Sequence, residues 1–77
     1  MARYELTLNA SSGALARVIA LVHGRHWRLG ALSYEPAEAT DRGRLVLDLE
    51  SPHGTGLIEA QLGKLYDVLA VRRLDVP

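Results

Sequence analysis

Residues 3 to 8, RYELTL, alternate strictly, with Tyr4, Leu6 and Leu8 on one side and Arg3, Glu5 and Thr7 on the other. A period of two over six residues predicts a strand with one buried face. From Gly13 or Ala14 to about Gly24 the period lengthens, and Leu15, Val18, Ile19 and Val22 fall at i, i+3, i+4 and i+7 on one helical stripe, with Arg17 off it. Ser11 or Ser12 is placed to supply the N-cap oxygen of this helix, and Gly24 to end it as the left-handed residue. Residues 26 to 35, HWRLGALSYE, carry Trp27, Leu29, Leu32 and Tyr34, whose phase slips between Leu29 and Leu32, so a second strand with a bulge or bend near Gly30 is expected.

PAEATDRGR then reads as a polar turn, and LVLDLE, residues 45 to 50, as a third strand with Leu45, Leu47 and Leu49 inward and Val46, Asp48 and Glu50 outward. SPHGTG breaks the chain again. Beyond it Leu57, Ile58, Gln61, Leu62 and Leu65 trace a second helical stripe, with Thr55 as its N-cap candidate. Gly63 weakens that helix by about 1 kcal/mol relative to alanine, which a close contact would justify. The β-rich residues from 68 to 75 supply a closing strand. The order is strand, helix, strand, strand, helix, strand. Two helices covering the apolar face of one four-stranded antiparallel sheet make the α+β, ferredoxin-like βαββαβ plan. That plan serves acylphosphatases, RNA-binding domains, metallochaperones and amino-acid sensors alike, so it names no function by itself.

With 77 residues, the chain is expected to be a single domain over 1–77, near the lower limit for a core built without metals or disulfides. One Trp, three Tyr and no Phe make that core aliphatic, and a thin core with an open sheet edge predicts a homodimer. Nine Lys and Arg balance nine Asp and Glu, with the arginines dispersed, which leaves no footprint for nucleic acid or an anionic membrane. The absence of cysteine removes disulfide scaffolds, thiolate metal sites and cysteine nucleophiles, and is compatible with a reducing cytoplasm. Neither a leader peptide nor an apolar run of about 18 residues is present, so a soluble, unexported, cytoplasmic protein is expected.

Candidate chemistry is sparse. The outward residues of the first and third strands, Arg3, Glu5, Thr7, Val46, Asp48 and Glu50, include no aromatic on which a base could stack. An acylphosphatase-like reaction needs a phosphate cradle with an arginine and a water-positioning asparagine; no such loop precedes Arg17, and Asn9 is the only asparagine. His23 and His26 straddle the expected helix end and His53 lies apart, a pattern of solvated histidines rather than metal ligands. Ser11 and Ser12 suit helix capping better than nucleophilic attack, since neither has a base in reach of the local pattern, and Arg72 and Arg73 read as a solvated strand edge. No catalytic residue and no metal ligand is assigned.

Read as one unit, SSGALARVIALVHGRHWRLGALS resembles the ACT domain pattern, with a glycine in the first strand-to-helix loop and a helix that ends before "RG". More narrowly, GALARVIALVHGRHWRLGAL is similar to the "GALSRV" helix and "RGYNIESL" strand of the small regulatory subunits of acetolactate synthase (acetohydroxyacid synthase). IEAQLGKLYDVLAVRRL, residues 58 to 74, is similar to that family's "IEKQLxKLxDVxxV" second helix and last strand. The tail is the more specific match, because Gln61, Leu62, Lys64, Leu65, Asp67 and Val68 recur in register.

The resemblance implies a noncatalytic subunit with no cofactor of its own. Such a subunit binds and activates the thiamine-diphosphate-dependent large subunit in branched-chain amino acid biosynthesis and, in many members, carries inhibition by valine. Members commonly have a second, C-terminal domain, so a chain ending at Pro77 looks like the short form or one cut to its ACT domain. In the family two ACT domains pair through edge strands, and effectors bind between the first loop of one and the second strand of the other. The implied effector residues are Asn9, Ala10, Ser11, Ser12, Gly13, Ala14 and Leu15 on the loop, and Arg28 on the strand. The family glycine is matched by Gly13, whereas the family asparagine three residues earlier falls on Ala10, with Asn9 one position out of register. The asparagine of "RGYNI" falls on Arg28 and the glycine of "RG" on His26. These departures leave a second expectation open, a stand-alone ACT homodimer that senses another small ligand.

Overall fold

The central strand β1, Ala2–Asn9, buries Tyr4, Leu6 and Leu8 and turns Arg3, Glu5 and Thr7 to the other side, as its alternation requires. In the computed structural model, which describes residues 1–9, 13–37, 40–52 and 56–74, this strand is followed by α1, Ala14–Gly24; β2, Arg28–Pro36; β3, Arg42–Glu50; α2, Gly56–Gly63; and β4, Val68–Leu74. The four strands form one antiparallel sheet in the order β2-β3-β1-β4. β1 and β3 pair from Ala2 opposite Leu49 to Asn9 opposite Arg42, so Leu45, Leu47 and Leu49 lie beside the buried side chains of β1. Ala14, Val18 and Val22 from α1 and Ile58 and Leu62 from α2 close over them, together with Trp27 and Val68. Each fully buried leucine or isoleucine contributes roughly 1.5–3 kcal/mol, and these aliphatic side chains are most of what holds so short a chain folded. The ferredoxin-like plan expected from the periodicity is the fold observed.

Several local expectations are corrected. The N-cap of α1 is Gly13, at φ 75°, rather than Ser11 or Ser12; those two, like Ala10, lie outside the described residues. Gly24 is still helical, and the left-handed residue is His26, at φ 56°. His26 N–H donates to the His23 carbonyl and Trp27 N–H to the Val22 carbonyl, both at 3.1 Å, which is the paired bonding of a Schellman ending with His26 in the usual glycine slot. Trp27 precedes β2 and is buried with Val22, the apolar contact that accompanies such an ending.

Ile19 and Leu57, both on the expected helical stripes, are 45% and 52% exposed, because each helix covers the sheet with a narrower face than its apolar residues span. Gly63 answers no close contact, since a β-carbon there would meet nothing within 4 Å; as the last residue of α2 it sits where a helix loses little by having glycine. Thr55 and His53 lie outside the described residues. The phase slip at Gly30 is a real irregularity, as the β2–β3 register shifts between Leu29 and Leu32. The shift keeps Leu29, Leu32 and Tyr34 opposite the buried Leu49, Leu47 and Leu45. At the sheet edge, however, Leu29 and Leu32 remain 43% and 40% exposed.

Candidate functional site

The loop from β1 to α1 begins where Asn9 leaves the sheet and ends at the left-handed turn of Gly13. An L side chain is strained at that φ, so glycine is what the turn accepts. The first helical hydrogen bond runs from Arg17 N–H to the Gly13 carbonyl, 3.3 Å. The amides of Ala14, Leu15 and Ala16 precede it and point along the helix axis toward the loop, and no acidic side chain occupies the first turn to neutralise them. This is a geometry suited to a carboxylate. The Ala14 side chain is buried and Leu15 packs against the core, so what these two residues offer a ligand is backbone.

Arg28 stands elsewhere. It opens β2 opposite Glu50, 3.9 Å from that carboxylate, with its side chain 79% exposed. Asn9 lies opposite Arg42, and the eight-residue step from Arg42 to Glu50 along β3 is about 27 Å at the usual rise of a strand. Within one chain, therefore, the loop and Arg28 occupy opposite ends of the sheet. The end of β2 that does lie near the loop is Pro36, opposite Gly43.

The loop is held from a place that periodicity does not reveal. Asp67, in the turn between α2 and β4, is 1% exposed, and its backbone carbonyl accepts the Asn9 N–H at 2.9 Å. Its carboxylate Oδ2 accepts Nε of Arg17 at 2.8 Å. The same guanidinium donates through Nη2 to the Tyr66 hydroxyl at 2.7 Å and lies 4.9 Å from the centre of that ring. Arg17 and Asp67 are 50 residues apart. The one signal of their pairing in the sequence is an aspartate set between Leu65 and Val68, both of which pack in the core.

The face of the sheet away from the helices is laced by ion pairs. Arg3 meets Asp48 through Nε–Oδ1 at 2.8 Å, and Glu5 accepts from Arg44 at 2.7 Å and from Arg72 at 3.0 Å. The hydrogen bond from Arg44, reinforced by the charges of Arg44 and Arg72, holds the Glu5 carboxyl below its ordinary pKa. Arg3 does the same for Asp48, and Asp48 raises Arg3 in return. A shallow groove of about 500 Å³ opens beside Glu5, Thr7, Glu35, Arg42 and Arg44. Among the described residues no group of three or more His, Asp or Glu gathers as a metal site, and no helix is long and apolar enough to cross a membrane.

A four-stranded sheet covered on one side by two helices, with a glycine turn heading the first, defines a ferredoxin-like module. The chain belongs to the ACT domain family, whose sequence pattern it matches over residues 10–71. ACT domains are regulatory modules. No curated protein matches the sequence as a relative. Among solved structures, the chain is similar to the acetolactate synthase small subunit from Thermotoga maritima, with 22% identity and a TM-score of 0.80 over 96% of this chain and 47% of that one. It thus spans about half the length of that subunit. It is also similar to the ACT domain of the GTP pyrophosphokinase of Chlorobium tepidum, with 13% identity and a TM-score of 0.76 over 95% of both chains. At these identities the likeness is one of fold.

Proposed function

We propose that this ACT domain is the regulatory subunit of an acetolactate synthase, binding and activating a cytoplasmic large subunit that carries the thiamine diphosphate and the catalysis. One observation carries the reading. The two segments that resemble the small-subunit family, GALARV and KLYDV, meet in space through Arg17 and Asp67, so residues that recur in register serve one shared contact. The fold shared with the small subunit from Thermotoga maritima is in keeping with it.

The effector site of this reading is built by two copies. Antiparallel pairing of β2 with its own copy about a two-fold axis sets residue 28 of one chain opposite residue 36 of the other, the end of the sheet where the β1–α1 loop lies. Arg28 of the second copy then comes to the same end of the sheet as the loop amides after Gly13, and a carboxylate bound there draws on cationic and N–H donors from the two copies. Such a ligand binds one arrangement of the pair more tightly and so shifts whatever that arrangement controls. Valine, which inhibits through this subunit in many members of the family, is the first effector to test.

Reconstitution with the large subunit of the same organism tests the assignment. Formation of a complex with raised turnover is expected, and unchanged turnover with no complex overturns it. The departures at Ala10 and Arg28 favour a second reading, an ACT homodimer that senses a different amino acid for a different enzyme. A melting-temperature screen against the twenty amino acids separates the two, since a ligand of the native state must raise the midpoint; a flat screen counts against the second.

A further inference from the structure

Asp67 has no part in the ligand geometry described above, yet through its backbone carbonyl and its carboxylate it bonds to residues on both sides of the β1–α1 loop. From the strand side, the Asn9 N–H donates to its carbonyl; from the helix side, Arg17 donates to its carboxylate. One residue of the α2–β4 turn is therefore bonded both to the last residue of β1 and to the first turn of α1. We infer that Asp67 and Arg17 are positioning residues for the β1–α1 loop, setting the direction in which the amides after Gly13 point and hence the capacity of the loop to receive a carboxylate.

Burial and chemistry both argue for this. A carboxylate that is 1% exposed has lost its water and depends on the protein for donors, whereas its partner side chain is 48% exposed and would be well solvated alone. The carboxylate is thus held at some expense in desolvation, and loss of Arg17 would leave a buried charge short of a donor, so the pair ties the position of the first turn of α1 to that of the α2–β4 turn. The guanidinium is also the right group for the task. Its planar fork bonds Asp67 through Nε and Tyr66 through Nη2 at once, so the first turn of α1 is held in angle as well as in distance. Lysine would supply a point charge without that orientation. Asn9 and Arg17 bracket the loop, and the turn at Tyr66 and Asp67 bonds to both.

The link to ligand binding rests on the proposed carboxylate site, while the anchoring itself does not, and the test keeps the two apart. Amide exchange is followed by NMR at Asn9, at residue 17 and at Leu6 in the core, in the wild type, in Arg17→Gln and in the double variant Arg17→Gln/Asp67→Asn, which removes both charges should the single variant not fold. The amides of Asn9 and residue 17 are expected to exchange at least about tenfold faster relative to Leu6, with Tyr66→Phe, which removes one of the two bonds of the fork, giving a smaller acceleration. Acceleration in step with Leu6, or none, overturns the anchoring. The valine-induced rise in melting temperature is then compared between wild type and variant. Its loss in the variant is expected, and an undiminished rise despite a loosened loop overturns the link to binding. A wild type that does not respond to valine removes the proposed effector, and the exchange comparison still decides the anchor.

Discussion

The ring of Tyr34 on β2 lies against Gly43 on β3, where a β-carbon would stand 2.6 and 2.7 Å from ring atoms Cε1 and Cζ. The two residues are diagonal neighbours, since Tyr34 faces Leu45 and Gly43 faces Pro36. The ring covers the strand where the glycine has no side chain and brings a half-buried aromatic to a poorly covered edge. Gly43→Ala is expected to lower stability by about 1–3 kcal/mol, since the ring must leave its place. Denaturant titration checks this, and Tyr34→Ala in the same chain should remove most of the further loss, because the two changes share one contact.

His26 holds a left-handed conformation at the end of α1. Replacing a non-glycine residue in such a position by glycine removes the clash of its β-carbon, partly offset by a more flexible unfolded chain. His26→Gly should therefore stabilise by about 0.5–1 kcal/mol, read as a rise of a few degrees in melting temperature, with His26→Asn giving a smaller rise.

Below neutral pH the sheet face is the sensitive part. Glu5 and Asp48 both have carboxyl pKa values lowered by arginines in the folded chain. Their stabilisation is complete above the unfolded values, about 4, and is lost as pH falls through the lower folded values. The melting temperature should be level from pH 7 to about 5 and drop below about 4. In Glu5→Gln it should start lower at neutral pH and drop less steeply on acidification.

Leu32 tests the edge. It lies on the β2 strand that the two-copy arrangement places at the interface, and it is 40% exposed in the single chain. Leu32→Asp should weaken self-association by at least about tenfold in sedimentation experiments, given the apolar area withdrawn and the charge introduced at an interface. The circular dichroism of the isolated chain should be unchanged.

What periodicity could reveal, it revealed well for β1 and β3, where one face meets two helices and the other meets water; all six inward residues, from Tyr4 to Leu49, are buried. It read β2 less sharply, because an edge strand with a register shift buries neither face well. It misplaced Ile19 and Leu57 because a helix pattern records which residues are apolar and not how wide a face the sheet receives. The left-handed turn was assigned to Gly24 by composition, yet the Schellman bonding places it two residues on, at His26, where the family pattern has the glycine of "RG".

At the candidate site, Gly13 was legible from its setting. Ala10, Ser11 and Ser12 fall outside the described residues, and Arg28 lies at the far end of the sheet of its own chain, away from Gly13. The bond between Arg17 and Asp67 was not legible, since it joins positions that no local period connects.

β1, the first of the four strands in sequence, lies inside the sheet between β3 and β4. Ala2 waits for Leu49 as its neighbour on one side, and Arg3 for Leu74 on the other. Both pairings close long loops, whose entropy must be given up before any contact rewards it, so collapse of this domain is slow for its size. On the ribosome, RYELTL emerges with two open edges and an apolar face, and both edges become paired only after β3 and then β4 have been synthesised. The nascent chain therefore depends on whatever shields that segment in the interval, and a stall before β4 leaves a half-paired sheet with its central strand bare on one side.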